Sequence, residues 1–257
     1  MPRENFGPDH VFLAKEEILS YEEMASVVAS LLPLGLSKVR ITGGEPLLRR
    51  DIHVFIGLLR DLDENLDIAL TTNGVLLERH AETLFKNGLN RITVSLDALD
   101  SELFQSITDS TNTPHEIFKG IDFSQSIGLP VKVNCVIKKG VNESQIVPLT
   151  KACVERNIAI RFIEFMDVGT TNNWDLESVV SGKDMRTLLR NHFGPLEPIP
   201  AEHPSDVARL WRLVNGSTVG FIESVTKPFC GNCSRARLSA HGSIYTCLFS
   251  EQGFDLR

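Results

Sequence analysis

Three cysteines near the carboxyl end carry the strongest chemical signal in this chain. Cys230, Cys233 and Cys247 are spaced C-x2-C-x13-C, and Arg235 and Arg237 lie in the same segment. Thiolates at this spacing can grip one metal centre, the third returning after a hairpin. Three sulfurs without an obvious fourth ligand describe a centre with one open position. Guanidinium groups beside such a centre suit a phosphate-bearing guest, because their paired N–H donors match phosphate oxygens. A structural zinc site, with His241 as fourth ligand, is the plainer use of the same spacing.

The elements that must hold these residues come from an ordinary globular composition. The 257 residues are 42% hydrophobic and 23% charged, enough for one large α/β domain with a smaller appendage. The formal charge of −7 argues against general nucleic-acid affinity, so any anion site is a local basic pocket in an acidic protein. No apolar run is long enough to span a bilayer, and no apolar leader opens the sequence. Five cysteines in a chain of this length do not form a disulfide framework, and a reducing compartment fits them better.

Apolar β-branched runs alternate with amphipathic helices up to about residue 169. Ser20 and Glu23 form a capping box, Asp51 is placed to cap a second helix, and Thr113-Pro114 opens another. Strands are read at 38–42, 68–71, 91–96, 131–137 and 159–165. Helical crossovers between them imply a parallel sheet with helices outside. Side-chain parity puts Lys132 and Asn134 on one face of their strand, opposite Val131, Val133, Cys135 and Ile137. The same parity pairs Arg40 with Thr42, Thr71 with Asn73, and Ser95 with Asp97. Polar groups gathered toward the carboxyl ends of parallel strands are how a TIM-type barrel builds a site. Residues 1–169 are therefore read as a partial-barrel core. Residues 170–257 are read as a second region, with a helix from Ser181 and then short runs at 207–214, 217–223, 236–239 and 244–249 forming antiparallel hairpins that carry the cysteines.

One turn narrows the reading. Thr42-Gly43-Gly44-Glu45-Pro46-Leu47 follows the first strand; its glycines let backbone approach a ligand, and Pro46 stiffens the turn. This run resembles the S-adenosylmethionine-binding segment of radical SAM enzymes. Taken with Leu70-Thr-Thr-Asn-Gly74, Val94-Ser-Leu-Asp97, Arg161-Phe-Ile-Glu-Phe-Met166 and Phe229-Cys-Gly-Asn-Cys-Ser-Arg-Ala-Arg237, it closely resembles the molybdenum cofactor biosynthesis protein A family, the GTP 3′,8-cyclases. The resemblance runs over essentially the whole chain.

It implies a radical SAM partial (βα)6 TIM-like barrel, here without its first strand, and a β-rich cluster-binding region at the carboxyl end. It also implies conversion of GTP to (8S)-3′,8-cyclo-7,8-dihydroguanosine 5′-triphosphate in molybdenum cofactor biosynthesis. Gly44, Ser95 and Met166 match positions that contact S-adenosylmethionine. Arg40, Thr71, Lys132, Arg161, Arg235, Ala236 and Arg237 match positions that hold GTP, with Lys38 a further basic position near the triphosphate. Cys230, Cys233 and Cys247 match the ligands of a second, substrate-binding [4Fe–4S] cluster. The family also implies a reductant such as flavodoxin or ferredoxin, a homodimer, and a downstream cyclic pyranopterin monophosphate synthase. Its setting is the bacterial cytoplasm, or the mitochondrial matrix in a eukaryote.

The sequence departs from the family in one respect. Members carry a C-x3-C-x2-C motif for the cluster that cleaves S-adenosylmethionine, and here no cysteine precedes Cys135. Met1-Pro2 resembles the pair following that motif, and Arg257 precedes the family's Gly-Gly tail. The expectation is an incomplete sequence whose first cluster lies outside it, inactive on its own. Competing readings are a GTP-binding relative without catalysis and a zinc-stabilised interaction protein.

Plainer roles are open for several residues. Arg40 and Arg161 could pair with Asp97 or Glu164, and Ser95, Thr71 and Met166 could be ordinary strand or core residues. Cys135 and Cys153 are read as small buried hydrophobes, Trp174 and Trp211 as loop packing, and Arg49-Arg50-Asp51 as a solvated helix start.

Overall fold

A computed structural model describes residues 14–167 and 174–257 of the chain. Within them, β1 (Lys38–Ile41), β2 (Asp67–Thr72), β3 (Arg91–Ser95), β4 (Val131–Ile137) and β5 (Ala159–Glu164) alternate with helices. The helices are α1 (Tyr21–Leu31), α2 (Ile52–Leu62), α3 (Leu77–Lys86), α4 (Ser101–Thr108), α5 (Pro114–Ser126) and α6 (Ile146–Glu155), followed by α7 (Gly182–Phe193). Beyond α7 come β6 (Glu197–Ile199), β7 (Arg209–Arg212), β8 (Thr218–Ile222), β9 (Arg237–Leu238), β10 (Ser243–Tyr245) and β11 (Phe254–Asp255).

Local signals explain most helix starts. Ser20 and Glu23 cap α1 reciprocally, as do Thr113 and Glu116 for α5, and Ser181 accepts from the Asp184 N–H at the start of α7. Asp51 does not cap α2 as expected. It stands at the N-cap with φ 56°, and its carboxylate makes no capping bond, because the left-handed backbone turns the side chain away.

The main sheet runs β1-β2-β3-β4-β5-β8-β7-β6. Pairing is parallel from β1 through β5 and on to β8; β7 and β6 then continue antiparallel. The runs at 207–214 and 217–223 pair as the antiparallel hairpin expected of them, β7 with β8, and that hairpin continues the main sheet. With α7 as the crossover, β8 lies beside β5 as a sixth parallel strand, and only its far side pairs antiparallel. Alternation of side chains reveals a strand but not the direction of its neighbour. A second sheet, β11-β10-β9, is antiparallel throughout.

The outer face of the parallel set packs on the helices. Ile68, Leu70, Ile92, Val94, Val133, Cys135, Ile160 and Phe162 are fully or almost fully buried there with Ile56, Leu59, Leu84, Ile121 and Leu149. Cys135 and Cys153 are both 0% exposed, and burial pushes both thiols up, Cys153 to about 12. They are small core hydrophobes, as the sequence indicates. Trp174 donates to the Phe165 carbonyl at 3.0 Å, and Trp211 lies under the Arg186 guanidinium.

Two tethers hold the cysteine-bearing segment to this body. Glu164, the last residue of β5, is completely buried. Its carboxylate accepts from the Gly182 N–H at 2.8 Å, the Val225 N–H at 2.9 Å, the Thr226 N–H at 2.8 Å and the Thr226 hydroxyl at 2.6 Å. At the far side, the Leu19 N–H donates to the Ala240 carbonyl at 2.8 Å, and Arg49 donates to the Leu19 carbonyl at 2.6 Å while lying over the Tyr21 ring. Arg49 is thus a structural anchor and not part of a solvated helix start, although Arg50 beside it is exposed. Residues 226–240 are pinned between the carboxyl end of β5 and the entry to α1.

Replacing Glu164 by Ala would strand buried donors. Unfolding free energy should fall by about 3 kcal/mol or more, with Glu164→Gln intermediate. Urea denaturation, with amide exchange at Val225 and Thr226, measures this; a loss below about 1 kcal/mol would sink the tether.

Candidate functional site

The inner face of the parallel set is polar and basic. Strand parity places Lys38 and Arg40 of β1, Asp67 and Thr71 of β2, Arg91, Thr93 and Ser95 of β3, Lys132 and Asn134 of β4, and Arg161 of β5 on it. Their hydrophobic neighbours face the helices. Register orders them in rungs. Arg40, Ala69 and Arg91 align; Thr71, Thr93 and Lys132 form the next rung; Ser95, Asn134, Arg161 and Gly220 form the one nearest the carboxyl ends.

Arg40 donates to the Thr71 hydroxyl at 2.9 Å and the Thr93 hydroxyl at 3.1 Å. It does not pair with Asp97 or Glu164, and neither does Arg161. The Glu164 carboxylate already receives backbone donors, and Asp97 accepts from the Val136 N–H at 2.8 Å. Burial pushes the Asp97 carboxyl up to about 6. That bond ties Asp97 to the end of β4, so it does not join Ser95 as an inward group.

Burial and crowding of these cations disfavour their charged forms. Desolvation, then repulsion from Arg161, Arg91, Arg40 and Lys38, lowers the Lys132 ammonium to about 8. Desolvation, then repulsion from Arg91, also lowers Arg40 and Arg161, with Asp67 and Asp206 respectively opposing the shift. Among the described residues, the buried atoms Asn134 Oδ1 and Arg161 Nε have no hydrogen-bond partner. A face built this way is organised for an anion. Arg161 reaches it because Gly220 lies opposite: a Cβ there would stand 2.9 Å from Arg161 Cγ.

At the carboxyl ends, Gly44 and Ser95 are exposed and Met166 is half-buried. Glu45 fixes the Gly43-Gly44 turn by accepting from the Leu47 N–H at 3.0 Å, the Thr72 hydroxyl at 2.7 Å and the Asn73 N–H at 2.7 Å. Gly43 has φ +145°, which favours glycine. A Cβ on Gly44 would touch nothing within 4 Å, so packing does not require glycine there.

Cys230, Cys233 and Cys247 are exposed, as are Arg235, Ala236 and Arg237. The Cys230–Asn232 turn brings the Cys233 N–H to the Cys230 carbonyl at 3.2 Å. Arg237 pairs with Tyr245 in the β9–β10 ladder. Continued outward by two residues on each arm, that register would set Arg235 against Cys247. Arg235 donates to Cys233 Sγ at 3.3 Å, and the Phe249 N–H donates to Cys247 Sγ at 3.5 Å. The Arg235 backbone N–H and then its guanidinium hold the Cys233 thiol below the usual value. Among the described residues, no three His, Cys, Asp or Glu side chains are arranged as a metal site. The structure thus brings the inner-face cations together and does not gather the three sulfurs into a ligand set.

Comparison with known proteins agrees with this anatomy. Residues 8–153 match the Radical SAM superfamily and residues 158–257 match Molybdenum Cofactor Synthesis C. A GTP 3′,8-cyclase of Staphylococcus aureus is 48% identical over 259 aligned positions, covering 100% of this chain and 76% of that protein. The chain belongs to the GTP 3′,8-cyclase family. A second family member, from Staphylococcus haemolyticus, is 47% identical with the same coverage. Among solved structures, Streptococcus suis SuiB bound to S-adenosylmethionine superposes with TM-score 0.66 at 16% identity, over 95% of this chain and 57% of SuiB. Native anSMEcpe with bound AdoMet and a peptide gives TM-score 0.60 at 18% identity, over 91% of this chain and 67% of that one. These likenesses establish the radical SAM fold, a parallel partial barrel. No helix among the described residues is long and apolar enough to cross a membrane.

Arg91 joins the site without having been singled out by any motif. Its signal is nevertheless present in the chain, since it shares strand parity with Thr93 and Ser95.

Because the Lys132 value lies below its unfolded one, the cost of charging it is present at neutral pH and is relieved as pH rises between about 8 and 10.5. Lys132→Met should therefore be more stable than the parent chain at pH 7 by about 1 kcal/mol, since solvent screens this half-buried group, and the gap should close toward pH 10. Urea melts across that range test it; a gap independent of pH would contradict the charge crowding.

Proposed function

We propose that the inner face and the cysteine segment together form the GTP site of a GTP 3′,8-cyclase, and that these 257 residues supply substrate binding and not the radical step. The observation that supports this most is the concentration of Arg40, Lys132 and Arg161 on one face, where Asp67 acts on Arg40 and Asp206 on Arg161 but neither outweighs desolvation and the neighbouring cations. A triphosphate would relieve their mutual repulsion and satisfy the stranded Arg161 donor. Thr71, already bonded to Arg40, would orient that guanidinium.

In this reading Cys230, Cys233 and Cys247 hold a [4Fe–4S] cluster. Three thiolates suit such a centre, and N–H donors toward Cys233 and Cys247 are the kind of partner that stabilises a ligating sulfur. Bound there, the cluster would offer one iron without a protein ligand to the guanine base. Arg235, Ala236 and Arg237 would line the same edge and hold the GTP there. The parallel strands β1 to β5 and β8 supply the barrel, and the segment from Cys230 to Cys247 the substrate cluster.

S-adenosylmethionine is assigned to the rim formed by Gly44, Ser95 and Met166. Support comes from the Gly44 clearance, which folding does not need and a close ligand would. A cluster for reductive cleavage of that cofactor does not fit this chain's residues, because no cysteine precedes Cys135. The residues present therefore support binding and orientation but no radical step, and we expect no cyclase turnover from these 257 residues alone. Within the same proposal, flavodoxin or ferredoxin serves as reductant, the protein is a cytoplasmic homodimer, and a pyranopterin synthase consumes the product.

Anaerobic reconstitution with iron and sulfide tests the cluster. The chain should take up about four irons, and serine replacements at Cys230, Cys233 and Cys247 should abolish uptake. Arg235→Ala and Arg237→Ala should weaken GTP binding by calorimetry about tenfold each while leaving iron content intact. Stoichiometric zinc with exclusion of iron would overturn the cluster. Gly44→Ala should leave stability within about 0.5 kcal/mol of the parent yet reduce S-adenosylmethionine affinity.

A further inference from the structure

Arg91 opens β3 at the end of the inner face farthest from the cysteine segment. Its rung is Arg40, Ala69 and Arg91, two residues below the Thr93–Lys132 rung and four below Ser95, or about 13 Å along the strand. Ala69, between the two arginines, has no side chain long enough to fill the space. The Arg91 guanidinium is held at 2.7 Å by Asp67, which also meets Lys38 at 3.4 Å. Both members of the Asp67–Arg91 pair are accessible, at 27% and 23% of their side-chain surface. Asp67 is thus shared between two cations, and Arg91 has donors beyond the one it gives to Asp67.

We propose that Arg91 is a further substrate-binding residue, taking the terminal phosphate of the nucleoside triphosphate at the floor of the inner face. This rests on the triphosphate reading above. A nucleotide whose base lies toward the cysteine segment lowers its phosphates through the successive rungs. The Arg161 rung is met first, Lys132 next, and Arg40 with Arg91 last. Arg40 and Arg91, with Lys38 on the next rung, suit the more highly charged terminal phosphate, and Arg supplies a planar fork where Lys would supply a point charge. Asp67 keeps Arg91 extended along the floor when no anion is present. It also neutralises part of a charge cluster that would otherwise repel itself. A site read by Arg91 discriminates by phosphate number: GTP profits from it fully, while GMP does not reach it.

The test is calorimetric titration of the anaerobically reconstituted chain with GTP, GDP and GMP. In the parent chain GTP should bind more tightly than GMP. Arg91→Ala should weaken GTP about tenfold and change GMP by less than about twofold, collapsing the preference. Arg91→Lys should keep part of it. Asp67→Asn removes the ion pair but keeps the cation, and should retain the GTP preference within about threefold. A GTP preference that survives Arg91→Ala overturns the Arg91 assignment alone. So does an Asp67→Asn chain that loses as much as Arg91→Ala, since the ion pair itself would then be what matters. A parent chain that binds GMP as tightly as GTP overturns the triphosphate reading and, with it, this one.

Discussion

A single buried carboxylate joins the two halves of this molecule. Glu164 ends β5, lies wholly out of solvent, and turns its four hydrogen bonds toward the start of α7 and the chain at Val225 and Thr226. A carboxylate is tolerable in such a place only when its lone pairs are satisfied, and here the partners are chiefly backbone N–H groups. Those amides would themselves be costly to bury unpaired. The barrel and the cysteine segment therefore each complete the other, and the segment begins from a fixed point at the carboxyl end of the sheet.

From that point the chain has little freedom. It passes Cys230, Cys233, Arg235 and Arg237, turns at the β9–β10 hairpin, and is caught again where Leu19 donates to Ala240. Arg49 secures this second tether, and it follows directly on the turn whose glycines we assign to S-adenosylmethionine. The proposed cofactor rim and the proposed substrate cluster are thus coupled through packing, not merely brought near each other. Loops that carry function are positioned by rigid neighbours, and the neighbours here are two strand ends and one helix entry.

The inner face follows the opposite rule. Lys38, Arg40, Arg91, Lys132 and Arg161 crowd together with Asp67 as a shared counter-ion. Folding gains nothing from this arrangement; the lowered Lys132 value records its cost. Hydrophobic residues on the other face of the same strands supply the stability that allows it. One face of the sheet is given to packing and the other to positive charge that Asp67 offsets only in part, the face we assign to an anion.

Much of this was legible in the chain itself. Alternation along β4 separated Lys132 and Asn134 from Val131, Val133 and Cys135, and the same rule set Arg40, Thr71 and Arg161 inward, where the structure has them. A capping box at Ser20 and a proline at the first helical position after Thr113 fixed two helix starts, because both signals act within one turn of chain. Motifs identified the family, which the likeness to known cyclases establishes. What tertiary structure alone decided was every relation between distant segments. The parallel seat of β8 beside β5, the tether from Glu164 to residues 61 and 62 positions away, and the anchoring role of Arg49 all depend on which strands and loops meet. Periodicity records the face a residue occupies; it carries no record of what lies opposite, and that is where hydrogen bonds and charge pairs are settled.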